Sequence, residues 1–299
     1  MHDRLRADMF ALALIAIIGA GDMACWYRIV QPALVRVPTP RITFLDVGQG
    51  DAALITLPGN VTVLTDAGPS GSALLSALDG AIARAPGNAA IDLAIISHPE
   101  ADHFGGFAEL LDHYRVGAFL YNGRDAPSGS PAWTALLAAI RADDIPLITV
   151  GRGDRIVYGP YAIDILSPDA AFVRSGAANE TGIVARVVTP QWTALLTADI
   201  DGDVEHALID AYGTQGLAAD ILKVAHHGSA TASGDAFLRA VAPRAAVIEV
   251  ARTNPYHLPS PGVLARIASS TRAKLFRTDE DGSVTIWYED GTLVVRETQ

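Results

Sequence analysis

Four side chains of the types that bind metal ions lie within six residues of one another: His98, Glu100, Asp102 and His103. They follow an apolar stretch, residues 93–97, that is typical of a buried strand. If the chain stays extended after this strand, side chains 98, 100 and 102 point to one side, and His103 turns away as a helix begins. The cluster therefore predicts a site for two adjacent ions. A polar surface loop is the alternative. Gly105 and Gly106 argue against it, because glycines leave room for another part of the chain to approach the backbone closely.

The second half of the chain repeats this arrangement. Residues 62–66 (TVLTD) resemble residues 193–199 (TALLTAD), and residues 92–98 (DLAIISH) resemble residues 220–226 (DILKVAH). Each repeat is an apolar strand that ends in a potential ligand. Two such halves facing each other would bring their strand ends to one cleft. Cys25 is the only cysteine, so the ligands of this cleft must be His, Asp or Glu.

The hydropathy pattern predicts mixed layers of strands and helices around these motifs. Short β-type runs come first, and strands then alternate with helical stretches, which indicates an α/β arrangement. The predicted strands are 42–47, 52–57, 61–68, 91–97, 118–121, 161–166, 182–188, 193–197, 283–288 and 292–296, and the predicted helices include 72–84, 131–141 and segments from 104 and 203.

Composition limits the partners of the protein. The chain has 299 residues, 50% of them hydrophobic, and a formal net charge of −11. Only two of its 22 basic residues are lysines, and no basic run could neutralise many phosphates. A broad surface that wraps nucleic acid is thereby excluded. Phosphodiester chemistry is not, because bound divalent cations attract an anion locally.

The N-terminal residues predict export. Residues 9–21 are apolar and follow Arg4 and Arg6, as in a secretory signal, whereas Asp22 interrupts any extension of the segment. We interpret residues 1–30 as a signal peptide or an uncleaved membrane anchor; a buried core helix is the alternative. Residues 31–41 contain three prolines and are predicted to be a linker. Residues 42–299 are predicted to form one domain with two similar halves.

The motif His98-x-Glu100-x-Asp102-His103 resembles the His-x-His-x-Asp-His motif of the metallo-β-lactamase fold. Further segments are similar to the soluble metallo-β-lactamase-like domain of the DNA-uptake competence protein ComEC, in which an acidic residue at position 100 is usual. They are residues 44–52 (FLDVGQGDA), 196–199 (LTAD), 222–229 (LKVAHHGS) and 254–259 (NPYHLP). The resemblance covers roughly residues 42–270. It implies a four-layer αββα sandwich in which two similar halves face each other.

The resemblance also implies roles for individual residues. Asp199 would bridge two ions, although a structural aspartate at a strand end is the alternative. His226 is favoured as a ligand and His227 as a contact to phosphate or leaving group, and these two roles could be exchanged. The implied metal ligands are His98, Glu100, Asp102, His103, Asp199 and His226. Asp46, Asp51 and Asp66 would orient the ligands by hydrogen bonds.

Substrate contacts are expected from Ser229, Asn254, Tyr256 and His257. The family's closing motif usually has a histidine where this chain has Leu258, so His257 substitutes through a shifted loop or the contact is missing. Near Asn179 a further histidine ligand of typical members is also replaced. The site is thus rich in oxygen ligands, which makes Mn²⁺ or Mg²⁺ a candidate beside Zn²⁺ for the two divalent ions.

The resulting hypothesis is a metal-dependent phosphodiesterase or nuclease that acts on DNA outside the cytoplasm. Asp102 would accept the proton of the attacking water, and His227 would contact the phosphate. A membrane-bound uptake channel is an expected partner, and the N-terminal segment would attach the protein to the membrane. Two alternatives stay open: hydrolysis of another exported substrate (a cyclic nucleotide, a cell-wall phosphodiester or a lactam), and a metal-stabilised binding module without catalysis.

Overall fold

The computed structural model describes residues 39–82, 90–126, 130–169, 173 and 177–298. The predicted signal peptide or anchor at residues 1–30 lies outside the described residues, as does the linker up to residue 38. None of the helices in the described ranges combines the length and the apolar character that a membrane crossing requires.

The described chain alternates strands and helices. The strands are β1 (Arg41–Phe44), β2 (Ala53–Leu57), β3 (Val61–Thr65), β4 (Ala90–Ile91), β5 (Leu93–Ile96), β6 (Arg115–Val116), β7 (Phe119–Tyr121), β8 (Leu147–Thr149), β9 (Arg155–Tyr158), β10 (Tyr161–Ser167), β11 (Val184–Val188), β12 (Thr193–Leu196), β13 (Ile221–Lys223), β14 (Ala245–Ile248), β15 (Lys274–Arg277), β16 (Ser283–Glu289) and β17 (Thr292–Thr298). The helices are α1 (Gly71–Ala81), α2 (Ala101–Phe104), α3 (Phe107–Leu111), α4 (Pro131–Ala142), α5 (Gly202–Leu217, interrupted at Gly213), α6 (Asp235–Val241), α7 (Pro261–Ser270) and α8 (Thr278–Asp281).

Two large mixed sheets form the centre of the fold. The first has the order β17-β16-β1-β2-β3-β5-β7-β8, and the second has the order β15-β14-β13-β12-β11-β10-β9. In both sheets the strands that precede the predicted ligands run parallel: β3 beside β5 in the first, and β12 beside β13 in the second. A short pair, β4 and β6, forms a separate small sheet.

Three apolar layers hold the sheets and helices together. The middle layer lies between the sheets and includes Phe44, Ile95, Trp192 and Val247. Helices α1, α3 and α4 cover the outer face of the first sheet, and helices α5, α6 and α7 cover that of the second. This arrangement of helix, sheet, sheet and helix confirms the predicted αββα sandwich.

The internal repeat has a structural counterpart in each half. The Asp92 carboxylate accepts hydrogen bonds from the backbone N–H (2.8 Å) and the hydroxyl (3.2 Å) of Thr62. Asp220 accepts the same two bonds from Thr193, at 2.9 and 3.3 Å. The repeated aspartate and threonine therefore fasten the start of one parallel strand to the start of its neighbour in both sheets.

The structure corrects three local predictions. The chain is not extended through residue 102, because helix α2 begins at Ala101, directly after Glu100, whose backbone is extended. The first predicted helix, residues 72–84, ends at Ala81. The short edge strands β8 and β9 were not predicted: β8 has only three residues, and most of the residues of these strands are exposed or half-buried, so neither carries a strong apolar pattern.

Candidate metal centre

The predicted ligands follow strands whose carboxyl ends lie at the same edge of the sandwich. Asp66 comes directly after β3, and Ser97 and His98 come directly after β5. In the opposite sheet Asp199 follows β12, and the two histidines at 226 and 227 follow β13. Parallel pairing of β3 with β5 and of β12 with β13 aligns these ends, so ligands from both halves face one cleft.

Four of the predicted site residues form a compact group: Asp102, His103, Asp199 and His227. One ligand atom from each lies within 4.8 Å of the others. Oδ2 of Asp199 is 3.4 Å from Nε2 of His103 and 3.2 Å from Nε2 of His227, and Oδ2 of Asp102 is 3.5 Å from Nε2 of His227. Two imidazoles and two carboxylates around one point are a donor set that zinc or manganese accepts.

Each histidine of the cleft binds another group of the protein through Nδ1. His103 donates from Nδ1 to Oδ2 of Asp66 (2.9 Å), and His227 donates to the backbone carbonyl of Glu249 (2.9 Å). Nδ1 of His98 is 3.0 Å from the Ser97 hydroxyl, and Nδ1 of His226 donates to Asp201 (3.1 Å). These bonds fix the rings with Nε2 facing the cleft, as in metal sites where a second group orients each ligand.

Nε2 of His98, His103 and His227 is buried without a hydrogen-bond partner among the described residues. Buried ring nitrogens that lack a hydrogen-bond partner are costly. Bound divalent cations would satisfy them, because each nitrogen has its lone pair free when the ring is neutral and Nδ1 carries the proton. The residues present therefore fit a metal ion.

The remaining predicted ligands, His98, Glu100 and His226, lie outside this compact group. Nε2 of His98 is 3.8 Å from Oε2 of Glu100, whose side chain is 40% exposed. Nε2 of His226 is 3.9 Å from Oδ2 of Asp199 and 3.4 Å from the Asn179 side-chain nitrogen. Of these residues, His226 therefore faces the compact group through Asp199.

Charges balance one another in the cleft. Burial opposes the charged forms of His103 and His227, but Asp199 and other carboxylates outweigh it and raise the pKa of both rings well above the usual value. Burial likewise acts against ionisation of Asp102 and Asp199, yet the neighbouring imidazoles hold the pKa of each carboxyl below its usual range. The acids are therefore charged at neutral pH, as ligands require.

A second layer of buried acids supports the histidines. Asp51 lies 3.3 Å from Nδ1 of His227 and forms an ion pair with Lys223. Glu249 accepts a hydrogen bond from the backbone N–H of Ala52 (2.9 Å), and its burial, together with Asp51, raises the pKa of its carboxyl to about 8. Of the three aspartates predicted for this layer, Asp51 and Asp66 lie there. Asp46 is exposed, and its carboxylate accepts from the Gly48 N–H in a turn.

Backbone geometry explains how adjacent histidines serve different neighbours. His226 and His227 both adopt left-handed conformations, with φ of 51° and 50°. The two rings are tilted by 70° relative to each other, so His227 enters the compact group while His226 points toward Asp201 and Asn179.

The backbone of Gly50 lies close to the backbone of Asp102. A Cβ atom at position 50 would collide with the Asp102 carbonyl oxygen, so glycine is required there.

The predicted substrate contacts lie on two neighbouring loops, which the bond from Ser260 N–H to the Gly228 carbonyl joins (2.9 Å). Ser229 is half-buried, Tyr256 is 68% exposed, and His257 is exposed. The Asn254 side chain is occupied in closing its own loop through bonds to Ala251 and Leu258. Leu258, where a histidine was expected, packs against the apolar layer beneath helices α5 to α7.

Lys223, Glu249 and Ser97 belong to the cleft and were not among the predicted site residues. All three are buried. A signal existed for Lys223, because it is one of two lysines in the chain and interrupts an otherwise apolar strand. Glu249 likewise ends an apolar run, whereas nothing in the sequence distinguishes Ser97 from other serines that follow a strand.

The chain belongs to the metallo-beta-lactamase superfamily, whose family model matches residues 45–249. The superfamily binds divalent metals, and the cluster of His and Asp described above could hold them.

Among curated proteins the chain is similar to ComE operon protein 3 of Bacillus subtilis, with 27% identity over 85% of this chain and 34% of that protein. It is also similar to competence protein ComA of Neisseria gonorrhoeae, with 28% identity over 85% of this chain and 33% of that protein. Recombination protein 2 of Haemophilus influenzae is 30% identical over 77% of this chain and 26% of its own length. The predicted resemblance to competence proteins is confirmed, and the chain spans about a quarter to a third of the length of these relatives.

Solved structures confirm the fold. The metallo-beta-lactamase fold protein YhfI from Bacillus subtilis has a TM-score of 0.52 and 15% identity, covering 86% of this chain and 100% of that one. CmlA, a diiron beta-hydroxylase from Streptomyces venezuelae, has a TM-score of 0.53 and 12% identity, covering 84% of this chain and 54% of that one.

Proposed function

We propose that this protein is a metal-dependent phosphodiesterase that cleaves DNA outside the cytoplasm. The observation that carries the proposal is a group of buried Nε2 atoms without a hydrogen-bond partner among the described residues: those of His103 and His227 face Asp199, and the His98 ring lies against that of His103. A cleft built in this way is suited to metal-assisted hydrolysis.

The compact group would hold one ion through Asp102, His103, Asp199 and His227. His98, Glu100 and His226 would hold a second, with Asp199 shared. This assignment moves His227 from the expected phosphate contact to the ligands, because its Nε2 is 3.2 Å from Asp199 whereas that of His226 is 3.9 Å away. Bound divalent ions supply a water of lowered pKa and stabilise charge on phosphate oxygens.

The side chains of the cleft would accept the proton of the attacking water and hold the ligands in place. The Asp102 carboxylate is 32% exposed at the cleft, and the neighbouring histidines keep its pKa low, so it is ionised and can accept the proton of the attacking water. The bond from Nδ1 of His227 to the Glu249 carbonyl prevents that ring from turning. The Ser229 hydroxyl, next to the turn that carries the two histidines, would contact a phosphate oxygen.

DNA is the proposed substrate because of the names of two relatives, ComE operon protein 3 and competence protein ComA. Each of them matches 85% of this chain. Location outside the cytoplasm is proposed from the apolar residues 9–21. A membrane-bound uptake channel is the proposed partner. The net charge of −11 favours a substrate held by the ions and a few side chains over one held by a basic surface.

The test is a nuclease assay on single- and double-stranded DNA with protein that has been stripped by a chelator and reloaded with Mn²⁺, Zn²⁺ or Mg²⁺. The wild-type protein is expected to cut DNA only when reloaded, and Asp102→Ala is expected to lose at least about 100-fold in rate while keeping its fold, since proton transfer alone supplies that factor. Asp46→Ala, an exposed acid outside the cleft, is the matched control. An Asp102→Ala variant that cuts DNA at the wild-type rate under saturating metal would refute the assignment.

A further inference from the structure

Lys223 lies behind the metal centre with its side chain almost fully buried (2% exposed). It is the last residue of β13, flanked by Leu222 and Val224 in the apolar layer beneath helices α5 to α7. A buried ammonium is unfavourable unless partners satisfy its charge and its three N–H donors. Such partners are present, and they belong to the metal centre.

The ammonium contacts three oxygen groups. Nζ donates to the Ala198 carbonyl (2.8 Å) and to Oδ1 of Asp199 (3.4 Å), and it forms an ion pair with Oδ2 of Asp51. Each N–H donor therefore has a separate acceptor. Because Lys223 is enclosed, its ammonium cannot contact a substrate in the cleft.

These contacts divide the two oxygens of Asp199 between different tasks. Oδ1 faces Lys223, whereas Oδ2 faces Nε2 of His103 (3.4 Å) and Nε2 of His227 (3.2 Å). Without the ammonium, the Asp199 carboxylate could rotate and offer both oxygens to one ion. With it, one oxygen is directed into the cleft.

The same ammonium supports two further parts of the centre. The Ala198 carbonyl accepts from Lys223 and from the His226 N–H (3.1 Å), which holds Ala198 in a left-handed conformation (φ 48°) just before Asp199. Asp51, held at Oδ2 by Lys223, places Oδ1 3.3 Å from Nδ1 of His227. Lys223 thus contacts a proposed ligand directly and holds two neighbouring groups: the Ala198 carbonyl, which accepts from the His226 N–H, and Asp51, whose charge faces a His227 ring already fixed by the Glu249 carbonyl.

We propose that Lys223 is a positioning residue of the metal centre: it fixes Asp199 so that only Oδ2 is offered to the ions, and it holds Asp51 against His227. This inference rests on the proposed metal site. An ordinary buried ion pair would contribute to stability alone, whereas a positioning residue also sets the affinity and the coordination of the metal. Residues that orient ligands in this way typically change metal affinity by about 10- to 100-fold when replaced.

The test compares Lys223→Met, which keeps the length of the side chain without its charge, with Lys274→Met. Lys274 is the chain's only other lysine and is 72% exposed. Mn²⁺ binding to the chelated proteins is measured by calorimetry, the coordination by Mn²⁺ electron paramagnetic resonance, and the fold of the metal-free proteins by circular dichroism. Lys223→Met is expected to bind Mn²⁺ at least about tenfold more weakly with an altered spectrum, and Lys274→Met to match the wild type.

Lys223→Arg serves if Lys223→Met does not fold. It keeps the positive charge, but its planar guanidinium cannot reach the same three acceptors from one nitrogen, so weakened binding and an altered spectrum are again expected. Wild-type affinity and spectrum in a folded Lys223 variant would overturn the inference while leaving the metal site intact. A wild-type protein that binds no Mn²⁺ or Zn²⁺ would instead refute the proposed function itself.

Discussion

The histidines of the cleft depend on the groups that hold their Nδ1 atoms. His103 is held by the Asp66 carboxylate and His227 by the Glu249 carbonyl, so the two rings present Nε2 from opposite halves of the sandwich. The spacing of residues 98 to 103 predicted a metal cluster, and the structure brings His103 and Asp102 together. The sequence repeat aligned His226 with His98, but it could not show that two consecutive left-handed residues turn His227 toward Asp199.

Protonation of these rings predicts how pH affects the metal-free protein. The pKa values of His103 and His227 are raised in the folded chain because their carboxylate neighbours outweigh burial. The protonated rings therefore stabilise the folded, metal-free protein fully below about pH 6.5, the ordinary imidazole pKa. This contribution to stability is lost as the pH rises through the raised pKa values. Metal ions require the neutral rings, so Mn²⁺ binding strengthens over the same range.

The measurement is the melting temperature with and without saturating Mn²⁺ between pH 6 and 9. The difference between loaded and metal-free protein should widen as the pH rises. Asp51 and Asp199, whose pKa values are lowered, lose their stabilising effect only as the pH falls below about 4, outside this window. Glu249, whose pKa is raised to about 8, titrates inside it, so Glu249→Gln is measured beside the wild type. A difference that stays constant across the range would show that these rings do not exchange protons for metal.

At the scale of elements, the sequence was sufficient for the strands and helices that carry strong patterns. The apolar runs before Asp66, His98, Asp199 and His226 are all strands that end at the cleft, as the repeat predicted. Helix α2, by contrast, begins three residues after His98, because the bond from His103 N–H to the Glu100 carbonyl (3.0 Å) closes its first turn. A pattern of alternating polar residues does not distinguish such a turn from a strand.

The repeated strand contact predicts a matched pair of stability effects. Asp92→Ala and Asp220→Ala each remove the acceptor of two hydrogen bonds from a threonine at a strand start, and each should lower the free energy of unfolding by about 1–3 kcal/mol. Asp164→Ala, which removes a partly exposed ion pair with Arg155, should change it by less than about 1 kcal/mol. Denaturant titration of the three variants measures this, and a neutral Asp92 or Asp220 variant would contradict the structural equivalence of the halves.

The loop that carries Tyr256 predicts a difference between long and short substrates. Tyr256 is 68% exposed on a loop joined to the histidine turn by the Ser260 and Gly228 bond. Stacking of a nucleobase on this ring would add about 1–3 kcal/mol to binding. Tyr256→Ala should therefore raise KM for single-stranded DNA about tenfold, with little effect on a small phosphodiester that has no base. Equal effects on both substrates, or none on either, would exclude a stacking role.

At the scale of the whole molecule, two halves with the same strand pattern enclose one cleft, and the superfamily match over residues 45–249 covers both. Composition excluded a basic wrapping surface, and the structure adds a cleft whose cluster of His and Asp side chains could hold divalent ions. Membership of the superfamily could be predicted from short motifs, because four of the predicted ligands lie within residues 98–103. The contributions of Lys223 and Glu249 could not, because they depend on contacts between the two sheets.

The central claim is that Asp102, His103, Asp199 and His227 bind a divalent ion. Crystals grown with Mn²⁺ and measured for anomalous scattering test it most directly. The account predicts a strong peak about 2.0–2.3 Å from Nε2 of His103 and Nε2 of His227, with Oδ2 of Asp199 as a further ligand, and a weaker peak near His98 and Glu100. A peak bound by His226 without His227, or no peak in the cleft at saturating Mn²⁺, would contradict it.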